Sequence, residues 1–373
     1  MDCIVLCAGY ATRLRPLTEN TPKPLLEVAG RPILEHILDR VALTSVKRVF
    51  IVTNTRFAGH FSRWIATVRF PGLELNVVDD GTTTNENRLG SMGDVRFVAR
   101  RHGLNDDVLI INGDNLFTFS LKPLLTEFRR RGNTIALYDV GSPEVARLYG
   151  IPTLDEDHRV VDFVEKPDRP SSTLASIGIY VYRREVHQLL AKYLSAGLSP
   201  DKTGEFVQWL HKQTDVFGYG YGDRQDVWFD IGTLDQLRQA GEQWRAFESQ
   251  PFPDPAAAAE AMEAAIRRLE SIGKPFKCSA EPTRPATPSF AFLVKHLIAD
   301  DANARVFATD VFKELGSPAA VSWLLDVLDD DRPASGTSVS AAAADALVKL
   351  GYADTIAAVR RKAAERGFLG NTD

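Results

Sequence analysis

The stretch Asp2-Cys3-Ile4-Val5-Leu6-Cys7-Ala8-Gly9-Tyr10-Ala11-Thr12-Arg13-Leu14-Arg15-Pro16-Leu17-Thr18, followed by Thr21-Pro22-Lys23-Pro24-Leu25-Leu26, decides the fold. An apolar run stops abruptly at a turn of small residues, and Arg13, Arg15 and Lys23 sit on the loop beyond it. A short continuous apolar run bounded by glycine reads as a strand buried on both faces, as in parallel α/β sheets. Such sheets bind ligands where loops leave the carboxyl ends of strands. A backbone-exposing turn carrying an arginine fork and a lysine point charge suits a polyphosphate.

Outward from this strand, Pro32 suits a first helical position, and Ile33, Leu34, Ile37, Leu38 and Val41 recur at helical spacing. Buried strands are expected at 49–52, 73–78, 108–111 and 134–140; the polar stretch 82–94 opens a helix running to about Arg101, and another helix follows over 121–128. The later part is richer in strands: 160–164, 176–182 and a strand pair near 216–229. Helices about 184–194, 205–212 and 234–247 complete an α/β domain with a Rossmann-like, doubly wound mixed sheet. Gly218-x-Gly220-x-Gly222 opens no βαβ unit and reads as a loop.

At 373 residues the chain is too long for one ordinary core. The reading is a catalytic domain over 1–248, an Ala-rich helix and Pro-rich linker over 249–288, and an α-helical domain over 289–373. Within the last, 308–321 lines up with 343–356 at an offset of 35 residues, each a helix ended by glycine and restarted. This resembles HEAT-type repeats; an irregular helical bundle is the alternative. The run Asp326, Asp329, Asp330 and Asp331 reads as a solvated helix end.

A net charge of −5 argues against a general nucleic-acid or anionic-membrane binder. No basic leader opens the chain, and no apolar run approaches the roughly 18–20 residues of a membrane span, so a cytoplasmic location is expected. The three cysteines, Cys3, Cys7 and Cys278, give no disulfide framework, and Cys3 and Cys7 read as core residues. The seven histidines form no zinc-spaced cluster, so any metal would be held by carboxylates.

With these residues in view, the opening signature and Pro22-Lys23-Pro24 resemble the sugar-phosphate nucleotidyltransferases, the NDP-sugar pyrophosphorylases that include glucose-1-phosphate thymidylyltransferase and mannose-1-phosphate guanylyltransferase. Gly113-Asp114-Asn115, Glu165-Lys166-Pro167 and Trp228-Phe229-Asp230-Ile231-Gly232-Thr233 follow in that family's order, over residues 1–245. The resemblance implies condensation of a nucleoside triphosphate with a sugar 1-phosphate, releasing pyrophosphate, with Mg²⁺ as cofactor. It implies metal ligands Asp114 and Asp230, and catalytic Arg13, Lys23 and Lys166. Nucleotide contacts would come from Ala8, Gly9, Tyr10, Thr12, Arg13, Leu89, Gly90, Ser91 and Gly113. Sugar-phosphate contacts would come from Gly150, Glu165, Lys166 and Gly178.

Read without the resemblance, Asp114 is a strand-end turn residue, Asp230 a helix cap and Glu165-Lys166 an exposed hairpin pair. Tyr10 and Ala11 stand where relatives keep glycine. Leu89-Gly90-Ser91-Met92-Gly93 occupies the base-selecting position without the expected Gln. The reading leans to dTTP and a hexose 1-phosphate such as glucose 1-phosphate. The alternatives are cytidylyl or guanylyl transfer to another phosphorylated sugar or alcohol, and a non-catalytic sugar-nucleotide-binding subunit. No hexapeptide repeat follows residue 250, so the helical tail is expected to serve homo-oligomerisation or a protein partner.

Overall fold

Strand β1 (Asp2–Leu6) is buried because it is flanked on both edges and covered on both faces. Its neighbours are β2 (Arg48–Thr53) and β4 (Val108–Asn112), both parallel to it, and β3 (Glu74–Asp79) continues the parallel set beyond β2. The computed structural model describes residues 1–70, 72–221, 227–248, 255–271, 288, 290–299, 301–316, 320–328, 330–334 and 336–351. Helices α1 (Ile33–Ala42), α2 (Thr55–Ile65) and α3 (Ser91–Arg101) connect these strands. Pro32 precedes α1 as its extended N-cap rather than occupying the first helical position.

After β4 the chain makes a short strand β5 (Asn115–Phe117), helix α4 (Lys122–Arg131) and strands β6 (Thr134–Asp139), β7 (Gly150–Leu154), β8 (Val160–Glu165) and β9 (Leu174–Tyr182). Strand β9 is the hinge of the topology. It lies antiparallel to β4 through Ile179–Tyr182, to β7 at Ser176, and to β6 along its other edge. Strands β4 and β7 therefore share one edge of β9 and leave a gap near Gly178, where the pairing with β6 also shifts register. The result is a nine-stranded mixed sheet.

Helices α5 (Val186–Ser195) and α6 (Thr203–Leu210) precede β10 (Phe217–Tyr221) and β11 (Trp228–Asp230). The expected strand pair near 216–229 is corrected here: β10 runs parallel to β6, and β11 pairs antiparallel with β5. Gly218 and Gly220 lie in β10 and not in a loop; a Cβ on Gly218 would stand 2.6 Å from Leu137, so glycine serves close sheet packing. Gly222 lies outside the described residues.

The chain divides into two compact units, Met1–Glu242 and Gln243–Asp373, within helix α7 (Leu234–Glu248). In the second unit α8 (Pro255–Ser271), α9 (Phe290–Leu297) and α12 (Val339–Lys349) pack on the central α10 (Ala302–Leu315). Gly316 ends α10 in the left-handed conformation, and α11 (Val321–Asp326) restarts the chain. Gly351 follows α12 with positive φ; the second helix of that repeat copy, the Pro-rich linker up to residue 287 and Cys278 lie outside the described residues. The aspartate run is not a solvated helix end. Asp326 is buried, Asp330 pairs with Arg305 and Arg332, and Asp331 accepts from Ser340 Oγ at 2.6 Å. Asp329 lies outside the described residues. Among the described residues no helix is long and apolar enough to cross a membrane.

Candidate functional site

The loop leaving β1 is held by its neighbours before any ligand is considered. Cys7 N donates to Val52 O at 2.8 Å and Gly113 N to Leu6 O at 2.9 Å, so the loops after β1 and β4 lie side by side. Buried Asn54 caps α2 through Oδ1 and donates Nδ2 to Ala8 O at 2.8 Å. Ala11 adopts φ 45°, the left-handed region that favours glycine, and its carbonyl accepts from Thr18 Oγ1 at 2.8 Å. Gly9 is exposed, with nothing within 4 Å of where a Cβ would stand, so its backbone faces open space. Tyr10 turns into the core, and Thr12 and Arg13 begin a short 3₁₀ turn.

Gly113-Asp114 forms the tight turn between β4 and β5. A Cβ on Gly113 would lie 2.7 Å from both Cys7 Sγ and Leu6 O, a contact only glycine avoids. The β5–β11 ladder sets Asp230 opposite Asn115, and Ile231 N donates to Asp114 O at 3.2 Å. The two carboxylates thus come from facing strand ends. Lys23 Nζ, from the Pro22–Pro24 segment, reaches Asp114 Oδ2 at 2.7 Å. A Cβ on Gly232 would lie 3.5 Å from the Arg13 guanidinium, which places Arg13 beside the Asp230 turn. Burial and then the nearby Asp114 charge push the Asp230 carboxyl up to about 6, against the pull of Lys23, Arg13 and Lys166. Burial, with Asp230 next in order, likewise raises the Tyr149 phenol.

The opposite wall is built at the gap along β9. Gly178 has φ +72°, and a Cβ there would meet Asn112 Nδ2 at 2.4 Å. Asn115 Nδ2 bridges the gap by donating to Ile177 O and Gly178 O at 2.8 and 3.3 Å, while its Oδ1 accepts from Trp228 Nε1 at 3.0 Å. Glu165 ends β8, and burial raises its carboxyl against the opposing charges of Lys166 and Lys202. Its Oε2 would lie 1.9 Å from a Cβ on Gly204, and a Cβ on Gly150 would lie 2.3 Å from the Phe163 ring. Lys166 holds φ 50°, with its N–H donating to Tyr149 O at 3.0 Å.

These walls enclose a cavity of about 210 Å³. Of the sequence-derived candidates, Ser91, Asp114, Gly150, Glu165, Lys166, Gly178 and Asp230 line it. Arg13, Lys23 and Gly113 stand at its Asp114–Asp230 edge without lining it. Ala8, Gly9, Tyr10 and Thr12 belong to the loop after β1, and Leu89 and Gly90 to the segment before α3. Earlier in the same connection, Asp80 Oδ1 accepts from Thr82 N and Oγ1 at 2.7 Å each. Asp94 of α3 shares a hydrogen bond with Asp80, and burial, then the Asp80 charge, pushes its carboxyl up to about 8.

Sequence reasoning missed Tyr149, Tyr180, Lys202 and Thr203, all of which line the cavity. Tyr180 lies two residues from Gly178 along β9, so strand alternation held a signal for it, whereas Tyr149 precedes β7 and only its adjacency to Gly150 pointed to it. Lys202 and Thr203 sit in a polar loop with no motif. Among the described residues no three His, Cys, Asp or Glu side chains cluster for a metal, so the acidic set is the Asp114–Asp230 pair.

The family model for nucleotidyl transferases matches residues 2–246. A mannose-1-phosphate guanylyltransferase of Mycobacterium tuberculosis is 34% identical over 238 residues, covering 62% of this chain and 61% of the relative. A bifunctional protein GlmU of Methanocaldococcus jannaschii is 30% identical over 235 residues, 62% of this chain and 51% of the relative. The chain thus spans about half to three fifths of the length of these relatives. A UDP-glucose pyrophosphorylase solved with UDP-glucose shares the fold at TM-score 0.55 and 19% identity, over 65% of this chain and 97% of that one. On the match over residues 2–246, the chain belongs to the nucleotidyl transferase family.

Proposed function

We propose that this protein transfers a nucleotidyl group from a nucleoside triphosphate to a sugar 1-phosphate. The observation that carries the proposal is the convergence of two facing carboxylates, Asp114 and Asp230, with Lys23, Arg13 and Lys166 at the mouth of a polar cavity. A sugar-phosphate oxygen forms the new bond to the α-phosphorus, the bond from that phosphorus to the β-bridging oxygen breaks, and pyrophosphate leaves. No covalent protein intermediate is needed, so catalysis is positioning plus charge neutralisation between two polyanions.

Lys166 holds the sugar 1-phosphate for attack, and its left-handed backbone aims it from the end of β8. Glu165 accepts hydrogen bonds from sugar hydroxyls, with Gly150 and Gly178 presenting backbone to the ring at positions packed too closely for a side chain. Ala8, Gly9, Tyr10, Thr12 and Gly113 line the nucleotide's path, with Leu89, Gly90 and Ser91 at the base. Arg13 and Lys23 stabilise the departing pyrophosphate.

Family members generally use a divalent cation, and the residues here fit one. Two hard carboxylate oxygens are what Mg²⁺ takes from protein when phosphates and waters fill its other positions. Burial and then the Asp114 charge hold the Asp230 carboxyl above its ordinary range, and a cation between the two would offset the repulsion part. Asp114 and Asp230 would hold Mg²⁺, which supplies charge stabilisation to the phosphate oxygens when bound.

Nucleoside triphosphate supply fits a cytosolic enzyme. The helical region beyond residue 248 is assigned to self-association or a protein partner. We take dTTP with glucose 1-phosphate as the first substrate pair; the named relative at 34% identity favours GTP with mannose 1-phosphate as the second. Pyrophosphate release across all nucleoside triphosphates and a panel of sugar 1-phosphates tests the assignment. Absence of turnover with every pair would instead support a non-catalytic sugar-nucleotide-binding subunit.

A further inference from the structure

Two loops far apart in sequence are fastened together at the cavity. Arg88, just before the base-side Leu89-Gly90-Ser91 segment, donates through Nε and Nη2 to the two carboxylate oxygens of Asp201 at 2.9 and 2.5 Å. Its third nitrogen, Nη1, donates to Asn85 O at 2.7 Å, which ties the guanidinium back to its own loop. Two more contacts join the same segments. Met92 N donates to Pro200 O at 2.8 Å, and a Cβ on Gly90 would stand 2.6 Å from that same oxygen. On the far side, Asp201, Lys202, Thr203 and Gly204 all line the cavity, and Thr203 Oγ1 accepts from the Tyr180 hydroxyl at 2.9 Å.

An exposed ion pair alone contributes little. This one is bidentate, sits beside a backbone hydrogen bond and a glycine packed on backbone, and joins segments 113 residues apart. We propose that Arg88 and Asp201 form a clasp through which the nucleotide-side loop positions the Ser199–Thr203 loop, so that occupancy of one substrate site tightens the other. The clasp residues are positioning residues, since neither is placed against a reacting atom. The inference rests on the nucleotide and sugar-phosphate assignments made above.

Binding coupled in this way is reciprocal. In the unmodified protein, saturating nucleoside triphosphate lowers the apparent Kd of sugar 1-phosphate. In Arg88→Ala that enhancement falls by about fivefold or more, within the usual span of coupling between sites. Arg88→Asp loses it likewise, and the double variant Arg88→Asp/Asp201→Arg recovers it. Hydrogen–deuterium exchange on the ligand-free full chain supplies a readout independent of substrate identity: amides of 199–204 exchange faster in Arg88→Ala than in the unmodified protein, and the charge swap slows them again. Equal exchange in all three proteins, or a double variant no better than the single ones, overturns the clasp. A clasp effect on exchange with no nucleoside triphosphate binding would sink the coupling and the substrate assignment while leaving the mechanical link standing.

Discussion

The two sides of the site use glycine for opposite reasons. On the loop after β1, Gly9 faces open space and its missing side chain leaves backbone for a ligand to approach. Across the cavity, Gly150, Gly178 and Gly204 are hemmed in: a methyl on any of them would strike Phe163, Asn112 or Glu165 within 2.4 Å. One side is an open surface of main chain with the cations Arg13 and Lys23 beside it. The other is a packed shape in which side chains are fixed by their neighbours. The first suits a flexible triphosphate that many enzymes must hold, the second a rigid sugar ring that must be told from its isomers.

The largest effect expected is at the junction of the two sides. Asp114→Asn should lower pyrophosphate release by about 10³-fold, of the order seen when one preorganised electrostatic group is removed. Near-normal turnover at saturating Mg²⁺ would refute its role. Lys166→Ala should raise KM for sugar 1-phosphate by roughly a hundredfold, as loss of a charge-assisted phosphate contact worth about 3 kcal/mol does. An equal rise in the nucleotide KM would break the division between the sides.

The glycines test it more directly. Gly204→Ala displaces the Glu165 carboxylate and should raise the sugar 1-phosphate KM by about tenfold, the cost of a misplaced group in a positioned site. Gly9→Ala should raise the nucleotide KM instead, leaving the melting temperature within about a degree because nothing in the fold is struck. Interchanged KM effects would reverse the two sides.

The smallest effect is on stability. Asp94 is an acid whose carboxyl is raised to about 8 in the fold, so the native state holds a proton that the unfolded chain releases near its ordinary value of 3.8. Its contribution is full below about pH 4 and is lost as pH rises toward about 8. Asp94→Asn should therefore flatten the fall in melting temperature between acidic and mildly alkaline buffer. An unchanged slope would show that Asp94 is not the group responsible.

How legible all this was in the sequence follows the same division. The apolar runs of β1, β2 and β4 are short, continuous and buried on both faces, so their composition alone announces parallel strands. The motifs at Asp114, Glu165-Lys166 and Asp230 are legible through their order, which resembles that of a known family; taken singly they pass for a turn residue, a hairpin pair and a helix cap. The interruption along β9 was not visible, since it comes from two partners competing for one edge, which local pattern does not encode. Lys202 and Thr203 line the cavity from a loop whose Asp201 pairs with Arg88, more than a hundred residues earlier, a pairing no local pattern encodes. Asp80 and Asp94 carry no sequence signal of their burial, which packing alone imposes. The two strands expected near 216–229 are present, but each takes a distant partner, which their adjacency in sequence does not reveal.

Ala11 carries a last consequence. Holding a methyl-bearing residue at φ 45° costs roughly 1 kcal/mol relative to a residue without that methyl. Alanine, however, wanders over fewer conformations than glycine when the chain is unfolded, or when the loop opens locally, and so loses less on becoming ordered. The loop trades a static enthalpic strain for a smaller entropic debt at the moment of capture. Ala11→Gly should then give a protein that is no less stable, yet whose loop must be frozen anew by each incoming triphosphate.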